Sequence, residues 1–301
     1  MSPSAQTSEA TPRWPAGAPY ALCLTHDVDR IHKQAYHYLY YAVRGGSRAL
    51  RVQARSLLHR LMGDEPYWNF DRIMALEDRL GVRSTVLFLD ESTKSFDPRF
   101  MGRYDLGDRR LAQTIPALKR GGWEIGLHGS FYSFDDRALL AREKARLEDI
   151  VGDRVRSTRQ HHLNLVRPRT FQHQRAIGLE VDSTLGAADR AWSEAPCLEP
   201  FEVDDSGMLE LPITLMDIIG LSRPGVRRHA EMQLEAIASA GGLIVLDWHQ
   251  RTFSPHEYPA EVAFYEAQIT AAKRRGAWIA TMAEICDHWH ARGAAMQVQA
   301  P

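Results

Sequence analysis

Residues 20–29 read YALCLTHDVD, an apolar run that ends in a histidine and two aspartates. A short, continuous run of this kind predicts a strand buried on both faces, as in a parallel sheet. The polar residues then fall at the carboxyl end of the strand, where parallel β/α folds place their catalytic groups. This stretch therefore indicates an α/β fold and the location of its functional site.

The same pattern recurs along the chain. After the first strand, at residues 20–26, strands are predicted at 84–90, 123–130, 155–161, 242–249 and 277–282, with weaker ones at 179–185 and 208–216. Amphipathic helical patterns separate most of these runs, which indicates βαβ units. Seven or eight such units favour a distorted (β/α)7-8 barrel, with a doubly wound open sheet as the alternative.

Composition limits the class of protein. The 301 residues are 44% hydrophobic with a formal net charge of -1, so no global charge attracts nucleic acid. The three cysteines stand far apart, which argues against a disulfide framework and favours a reducing compartment. We expect a disordered tail at 1–19, a single barrel domain at 20–292, a C-terminal tail at 293–301, no membrane span, and a cytoplasmic location.

Residues 31–62 interrupt the alternation with a long helical pattern. Arg44, Arg48, Arg51 and Arg55 follow one another at three- and four-residue steps and so share one helix face. We interpret this face as a solvated charged surface. The alternative is a clamp for an anionic sugar or a lipid-linked phosphate.

Ionisable side chains cluster at the predicted strand ends. They are His26, Asp27 and Asp29; His128; Arg159, His161 and His162; and Asp247 and His249. Residues two apart on a strand face the same side, so Asp27 and Asp29 should both point into the barrel mouth. Two carboxylates that close need a cation or a shared proton. Together, the aspartates and histidines supply the metal ligands, the base and the acid that a hydrolytic metal site requires. Taken singly, the aspartates would suit a polar loop with a helix cap, and a histidine would suit a buried, hydrogen-bonded structural position.

In this order the segments resemble the polysaccharide deacetylase (NodB-homology) family, in particular a divergent bacterial branch found beside surface-polysaccharide genes. The resemblance covers residues 21–282 and rests on THDVD at 25–29, HGSFYS at 128–133, STRQHHL at 157–163, DSTLGAAD at 182–189 with LELPITLMD at 209–217, and LIVLDWH at 243–249. It implies a metal-dependent hydrolase that removes an acetyl or formyl group from the nitrogen of a carbohydrate or polysaccharide precursor, on a distorted barrel.

The resemblance also implies a role for individual residues. Asp27 would be the general base, paired with Arg159, and His249 would protonate the leaving amine. Asp29 and His128 would bind a divalent metal, with Zn²⁺ as the expected ion. The substrate would be a carbohydrate or a lipid-linked sugar.

One departure affects the metal site. Tyr132 stands where the family has a second histidine, and a phenol of pKa about 10 is a poor ligand near neutral pH. We expect His161 to replace it, with His162 or a water as alternatives. We also expect Tyr132, Trp248 and Trp192 to offer faces for sugar stacking, with core packing as the alternative.

Other functions are left open. The same scaffold would serve an amidohydrolase acting on a non-sugar amide, and loss of the second histidine would suit a non-catalytic carbohydrate-binding protein. The pair His26-Asp27 prompts comparison with HD-type phosphohydrolases, although that family places the pair on a helix. A carboxylate pair formed by Asp27 with Asp29 or Asp247 would suit glycoside hydrolysis.

Overall fold

The computed structural model describes residues 13–44, 46–91, 103–186, 198–203 and 205–299, except the side chains of residues 44, 48 and 296–299. Ten strands form one sheet in the described chain: β1 (Ala21–Val28), β2 (Thr85–Leu89), β3 (Glu124–Gly129), β4 (Ser157–Gln160), β5 (Val181–Asp182), β6 (Phe201–Glu202), β7 (Leu209–Glu210), β8 (Leu215–Met216), β9 (Leu243–Asp247) and β10 (Trp278–Ala280). Eight of them coincide with, or lie within, the predicted strand segments, and the short β6 was not predicted.

The strands curl into a parallel barrel. Their order is β6-β7-β5-β4-β3-β2-β1-β9-β8, with β10 added to β1, and only the β6–β7 pair is antiparallel. The segment at residues 209–216 closes the ring: Leu211 N–H bonds to Asp182 O on one side, and Thr214 N–H bonds to Val245 O on the other. A single extended segment thus pairs with β5 through its first half and with β9 through its second. The predicted distorted β/α barrel is confirmed.

Helices cover the outside of the barrel and its lower end, which is the end at which the parallel strands begin. They are α1 (Ala35–Arg44), α2 (Gly46–Leu61), α3 (Phe70–Leu80), α4 (Leu111–Arg120), α5 (Arg137–Val151), α6 (Arg169–Ala176), α7 (Pro224–Ser239), α8 (Pro259–Arg274) and α9 (Met282–Gln299). α3 ends at Leu80 because Gly81 adopts a left-handed conformation with φ of 64°, which residues with a side chain rarely do.

Alternation along β1 divides apolar from polar space. Leu22 and Leu24 pack outward against the helices, whereas Ala21 and Cys23 lie in a separate cluster inside the barrel. The residues that follow inward are Thr25, Asp27 and Asp29, so the interior is apolar at the amino-terminal end and polar at the carboxyl-terminal end. The site is therefore confined to one rim.

Both predicted tail boundaries are wrong. Trp14 is buried, donates a hydrogen bond to Gly241 O at 2.9 Å, and packs on Trp278 and Trp289 with ring centroids 6.1 and 6.0 Å apart. Residues 13–19 are thus packed on the barrel rather than in a tail, because this indole covers its lower end. At the other terminus α9 continues past residue 292 to Gln299.

The long helical segment after β1 is confirmed, as two helices. α1 and α2 together form a hairpin at residues 35–61, which we call the α1–α2 hairpin. Arg51 and Arg55 are exposed on it, as the surface interpretation requires, while the side chains of Arg44 and Arg48 lie outside the described set. Within the described residues, no helix is both long enough and apolar enough to cross a bilayer.

Candidate metal and catalytic site

Six of the nine ionisable residues predicted at the strand ends line one pocket of about 300 Å³ at the carboxyl rim of the barrel; His26, Arg159 and Asp247 do not. It is lined in part by Asp27, Asp29, His128, His161, His249 and Arg251. Asp29 lies 3.4 Å from His128 and 3.7 Å from His249, measured between carboxylate oxygens and Nε2 atoms. The sequence-based expectation that these side chains converge at one rim is therefore met.

Three of these residues present atoms suited to one metal ion. Asp29 Oδ1 is 3.4 Å from His128 Nε2 and 3.6 Å from His161 Nε2. Two ligands bound at about 2.1 Å to a tetrahedral ion are about 3.4 Å apart, so the spacing fits. Asp29 Oδ1 is buried without a hydrogen-bond partner among the described residues. Such an atom suits a cation, and the donor set of one carboxylate and two imidazoles fits a divalent metal.

Further contacts orient the two imidazoles. His128 Nδ1 donates to the carbonyl of Arg159 at 2.9 Å, which leaves Nε2 directed at the carboxylates. His161 Nδ1 lies 3.2 Å from Glu91 Oε2, an ion-pair contact without hydrogen-bond alignment. Metal-binding histidines commonly hold their second nitrogen in this way, against a carbonyl or a carboxylate. Glu91 lies two residues past the end of β2, and its position just past a strand is the signal from which it could have been predicted.

The structure distinguishes His161 from its neighbour. His161 is buried with its ring beside that of His128, at 5.1 Å between centroids. His162 adopts φ of 58° and is exposed, with Nε2 at 3.5 Å from Arg103. The left-handed turn at His162 sends successive side chains in different directions, so His161 rather than His162 joins the cluster.

Asp27 lies beside the three candidate ligands and is paired with a buried arginine. Arg159 Nη1 contacts Asp27 Oδ1 at 2.8 Å and Asp247 Oδ1 at 3.0 Å, and its Nε–H bonds to Ser183 O at 2.7 Å. Burial by itself raises the pKa of Asp27, but the Arg159 guanidinium and the nearby imidazoles hold it below its ordinary value. Asp27 is therefore ionised at neutral pH, and its Oδ2 lies 3.7 Å from His128 Nε2.

His249 is held by a carboxylate on the far side of its ring. Asp217 accepts hydrogen bonds from His249 Nδ1 at 2.8 Å, from His249 N–H at 2.7 Å, and from the Thr252 hydroxyl at 2.7 Å. Burial lowers the pKa of His249, but Asp217 outweighs it and raises the pKa to about 9. His249 is thus an imidazolium at neutral pH whose Nε2–H faces the pocket. Asp217 ends the segment 209–217 that carries part of the family resemblance, but its pairing with His249 was not predicted.

Two arginines in the pocket were not anticipated. Arg103 and Arg251 approach Asp29 Oδ2 through their Nη1 atoms, at 3.3 and 3.1 Å. Burial raises the pKa of Asp29, but Arg103 and the histidines hold it well below its ordinary value. Arg251 follows His249 by two residues, which is a usable sequence signal. Arg103 lies 74 residues from Asp29, and nothing near it in sequence marks it.

The aromatic residues that were predicted to stack on a sugar lie in different environments. Trp248 is buried against Phe264, with centroids 6.0 Å apart, so its assignment as a sugar-binding residue is wrong. The reason is alternation: Asp247 and His249 face the interior of the barrel, which turns Trp248 to the opposite side. Tyr132 is 54% exposed and stacks edge-on with Phe131, whose ring also meets His162 at the pocket edge. Trp192 lies outside the described residues.

His26 does not belong to the site. Its Nδ1 contacts Trp248 O at 2.9 Å and its Nε2 contacts Glu77 Oε1 at 2.8 Å, both in the packed layer outside the barrel. The strand directs His26 and Asp27 to opposite faces. The two residues therefore cannot bind one ion together, which removes the comparison with HD-type phosphohydrolases.

No family model and no curated protein matches the sequence. Solved structures do match. One, provisionally described as a polysaccharide deacetylase from Mycobacterium smegmatis, shares 23% identity over 94% of this chain and 95% of its own, with a TM-score of 0.61. PuuE allantoinase shares 17% over 95% of each chain, with a TM-score of 0.63. A probable polysaccharide deacetylase from Pseudomonas aeruginosa PAO1 shares 17% over 93% of each chain, with a TM-score of 0.57. The chain thus has the fold of these deacetylases and of the allantoinase, as the resemblance of its motifs implied.

Proposed function

We propose that the protein is a divalent-metal-dependent hydrolase that removes an acetyl or formyl group from the nitrogen of a carbohydrate. One observation carries the proposal: a three-donor cluster, Asp29, His128 and His161, lies in the same pocket as Asp27, which is paired with Arg159, and His249, which is paired with Asp217. A binding protein needs neither a base nor an acid. The solved structures of the same fold that are described as deacetylases support the same reaction class.

The ion would be held by Asp29, His128 and His161. Two imidazoles and one carboxylate suit Zn²⁺ better than Mg²⁺ or Ca²⁺, which prefer oxygen ligands, so we propose Zn²⁺. Bound there, a divalent ion would lower the pKa of water and polarise the amide carbonyl.

Asp27 and His249 would move the protons. Asp27 accepts a proton from the attacking water, and its pairing with Arg159 keeps the carboxylate charged and fixed in direction until then. His249 holds a proton on Nε2 and donates it to the departing sugar nitrogen, while Asp217 fixes the tautomer and balances the charge. The nearest atoms of Asp27, Asp247 and His249 lie within 4.8 Å of one another, so one bound amide can reach both the base Asp27 and the acid His249.

The proposed substrate and location are inferred from residues outside the metal cluster. Exposed Tyr132, which is linked to the pocket through the rings of Phe131 and His162, would stack on a sugar ring, and the sugar would be free or carried on a lipid. A cytoplasmic location is supported by Cys23 and Cys286, which are both buried free thiols. Separate recovery of native protein from cytoplasmic and exported fractions would test that location.

A cyclic ureide is the second candidate substrate, because the allantoinase superposes on this chain at a TM-score of 0.63. A ureide ring also contains an amide bond that a metal, a base and an acid would open. The two candidates differ in the leaving group, which is a sugar amine in one and a ring nitrogen in the other.

The test is a hydrolysis assay on purified protein. Protein stripped with a chelator and reloaded with Zn²⁺ is assayed for acetate or formate release from N-acylated amino-sugar oligomers, with allantoin in parallel. We expect Zn²⁺-dependent acyl release that falls at least about 100-fold in Asp27→Asn, the scale of a lost general base. Asp149→Asn, the same change at an exposed position of α5, is the matched control and should retain activity. Turnover of allantoin alone would replace the proposed substrate, and no Zn²⁺-dependent hydrolysis of either would refute the function.

A further inference from the structure

The α1–α2 hairpin exposes a stripe of large apolar side chains. On α2, Leu50, Leu57, Leu58 and Leu61 are between 44 and 77% exposed. Their spacing of seven, eight and eleven residues from Leu50 places them on one helix face. A face of this pattern normally packs into a core, but the buried side of α2 is a different one, marked by Gln53 and Ser56. The neighbouring α1 adds Leu39 and Val43, at 68 and 74% exposure.

The charge of the segment is of one sign. Residues 31–63 contain no Asp or Glu, and their cations are Lys33, Arg44, Arg48, Arg51, Arg55 and Arg60. Arg51 and Arg55 are exposed and lie at the flank of the leucine stripe, about 100° around the helix from Leu50 and about 120° from Leu61 respectively. An apolar stripe bordered by arginines is the pattern of a helix that lies in the interface of an anionic bilayer.

The hairpin is fixed to the rim that carries the candidate site. Lys33, just before α1, is buried and pairs with Glu257 Oε1 at 2.6 Å and with Gln53 Oε1 of α2 at 2.6 Å. Its ammonium also lies 4.1 Å from the ring centre of Tyr38 in α1. Glu257 belongs to the segment that follows β9. The hairpin therefore starts beside the pocket mouth and is held there by a buried ion pair.

We propose that the α1–α2 hairpin docks the protein on an anionic phospholipid surface, with the leucine stripe among the acyl chains and Arg51 and Arg55 at the headgroups. Anionic lipid satisfies the two properties of the surface together, because it offers apolar contact and negative charge. A second copy of the chain satisfies only the first, since it would bring two hairpins without acidic residues face to face. Docking would place the pocket mouth near substrates carried on lipid.

The test is cosedimentation of the full chain with vesicles, which requires no turnover and so is independent of the proposed function. Phosphatidylcholine vesicles are compared with vesicles of phosphatidylcholine and phosphatidylglycerol at about seven to three. We expect binding to the anionic vesicles that weakens with salt and is at least about ten-fold tighter than binding to the neutral ones. The double variant Leu57→Asn/Leu61→Asn should lose at least about ten-fold of this affinity, because its apolar contact is removed.

Two further variants complete the test. Arg51→Gln/Arg55→Gln should lose the preference for anionic vesicles, and it keeps the proposal testable if the leucine variant does not fold. Met232→Asn, on α7 and 61% exposed in the native chain, is the matched control and should bind like native protein. Absence of binding to anionic vesicles, equal binding to neutral ones, or full binding by Leu57→Asn/Leu61→Asn would overturn the proposal. So would a native dimer in light scattering that this variant converts to a monomer without any vesicle binding.

Discussion

Replacing His161 with alanine tests the assignment of the third metal ligand. His161 Nε2 lies 3.6 Å from Asp29 Oδ1, the spacing of two ligands on one ion, and the other ring nitrogen is supported by Glu91. Loss of a residue that merely supports a ligand weakens metal binding about 10- to 100-fold, so loss of a ligand should cost at least the upper figure. His162→Ala, one residue away, removes an exposed imidazole that lies outside the cluster and is the matched control.

The expected size follows from linkage between binding and folding. At a Zn²⁺ concentration about 100 times the native dissociation constant, bound metal stabilises native protein by about 2.7 kcal/mol. With binding about 100-fold weaker, the same concentration contributes only about 0.4 kcal/mol. With an unfolding entropy of about 2.1 cal/mol/K per residue over 301 residues, the difference of about 2.3 kcal/mol corresponds to a Zn²⁺-induced rise in Tm that is roughly 4 °C smaller in His161→Ala.

The assay is thermal unfolding with and without Zn²⁺, compared within each variant, so that any change in the metal-free protein cancels. Native protein and His162→Ala should show the full rise in Tm. An undiminished rise in His161→Ala would refute His161 as a ligand. An equal loss in His162→Ala would show that the turn, rather than the His161 imidazole, supports binding.

Three further predictions concern stability. Trp248→Ala should lower the free energy of unfolding by about 3–5 kcal/mol, because the indole is buried. Tyr132→Ala should change it by less than about 0.5 kcal/mol, because Tyr132 is largely exposed. Denaturant titration checks both values, and similar losses in the two variants would contradict these positions. Arg159→Leu should cost about 3–5 kcal/mol near pH 7, since it leaves two buried carboxylates unpaired, and a neutral result in the same titration would show that they do not need their partner. Burial raises the pKa of Glu143 from 4.5 to about 7, so between these pH values unfolding releases a proton and the free energy of unfolding falls as pH rises. This group should lower the free energy of unfolding by about 2 kcal/mol between pH 5 and 7. If Glu143→Gln leaves the pH dependence of stability unchanged, the prediction is refuted.

Much of the site was predictable because strand geometry is local. The two-residue repeat on β1 is enough to place Asp27 and Asp29 on the same side, and the inward direction follows because both lie at a carboxyl end. The same rule would have excluded Trp248, which stands between Asp247 and His249 and must face away from them. The alternation of side chains at residues 247–249 therefore already contained the information that excludes Trp248.

The supporting residues were not predictable in this way. Glu91 and Arg103 both lie in the connection between β2 and α4, Arg251 lies in the turn after β9, and Arg103 is 74 residues from Asp29 along the chain. Loops carry no repeat from which a side-chain direction can be read. Likewise, the helical period of α2 gives an apolar face but not whether that face is covered.

The sequence by itself determined the alternation of strands and helices and the gathering of polar side chains at the carboxyl ends of the strands, whereas it left a closed barrel and an open sheet as alternatives. These follow from periodicity and from the parallel direction of the strands, which act over a few residues and are repeated in every unit. The tertiary structure alone decided that His161 rather than His162 meets Asp29, that Asp217 holds His249, and that the leucines of α2 are exposed. Each of these depends on ångström-scale distances between segments far apart in the chain, and such distances exist only after the ring of strands has closed.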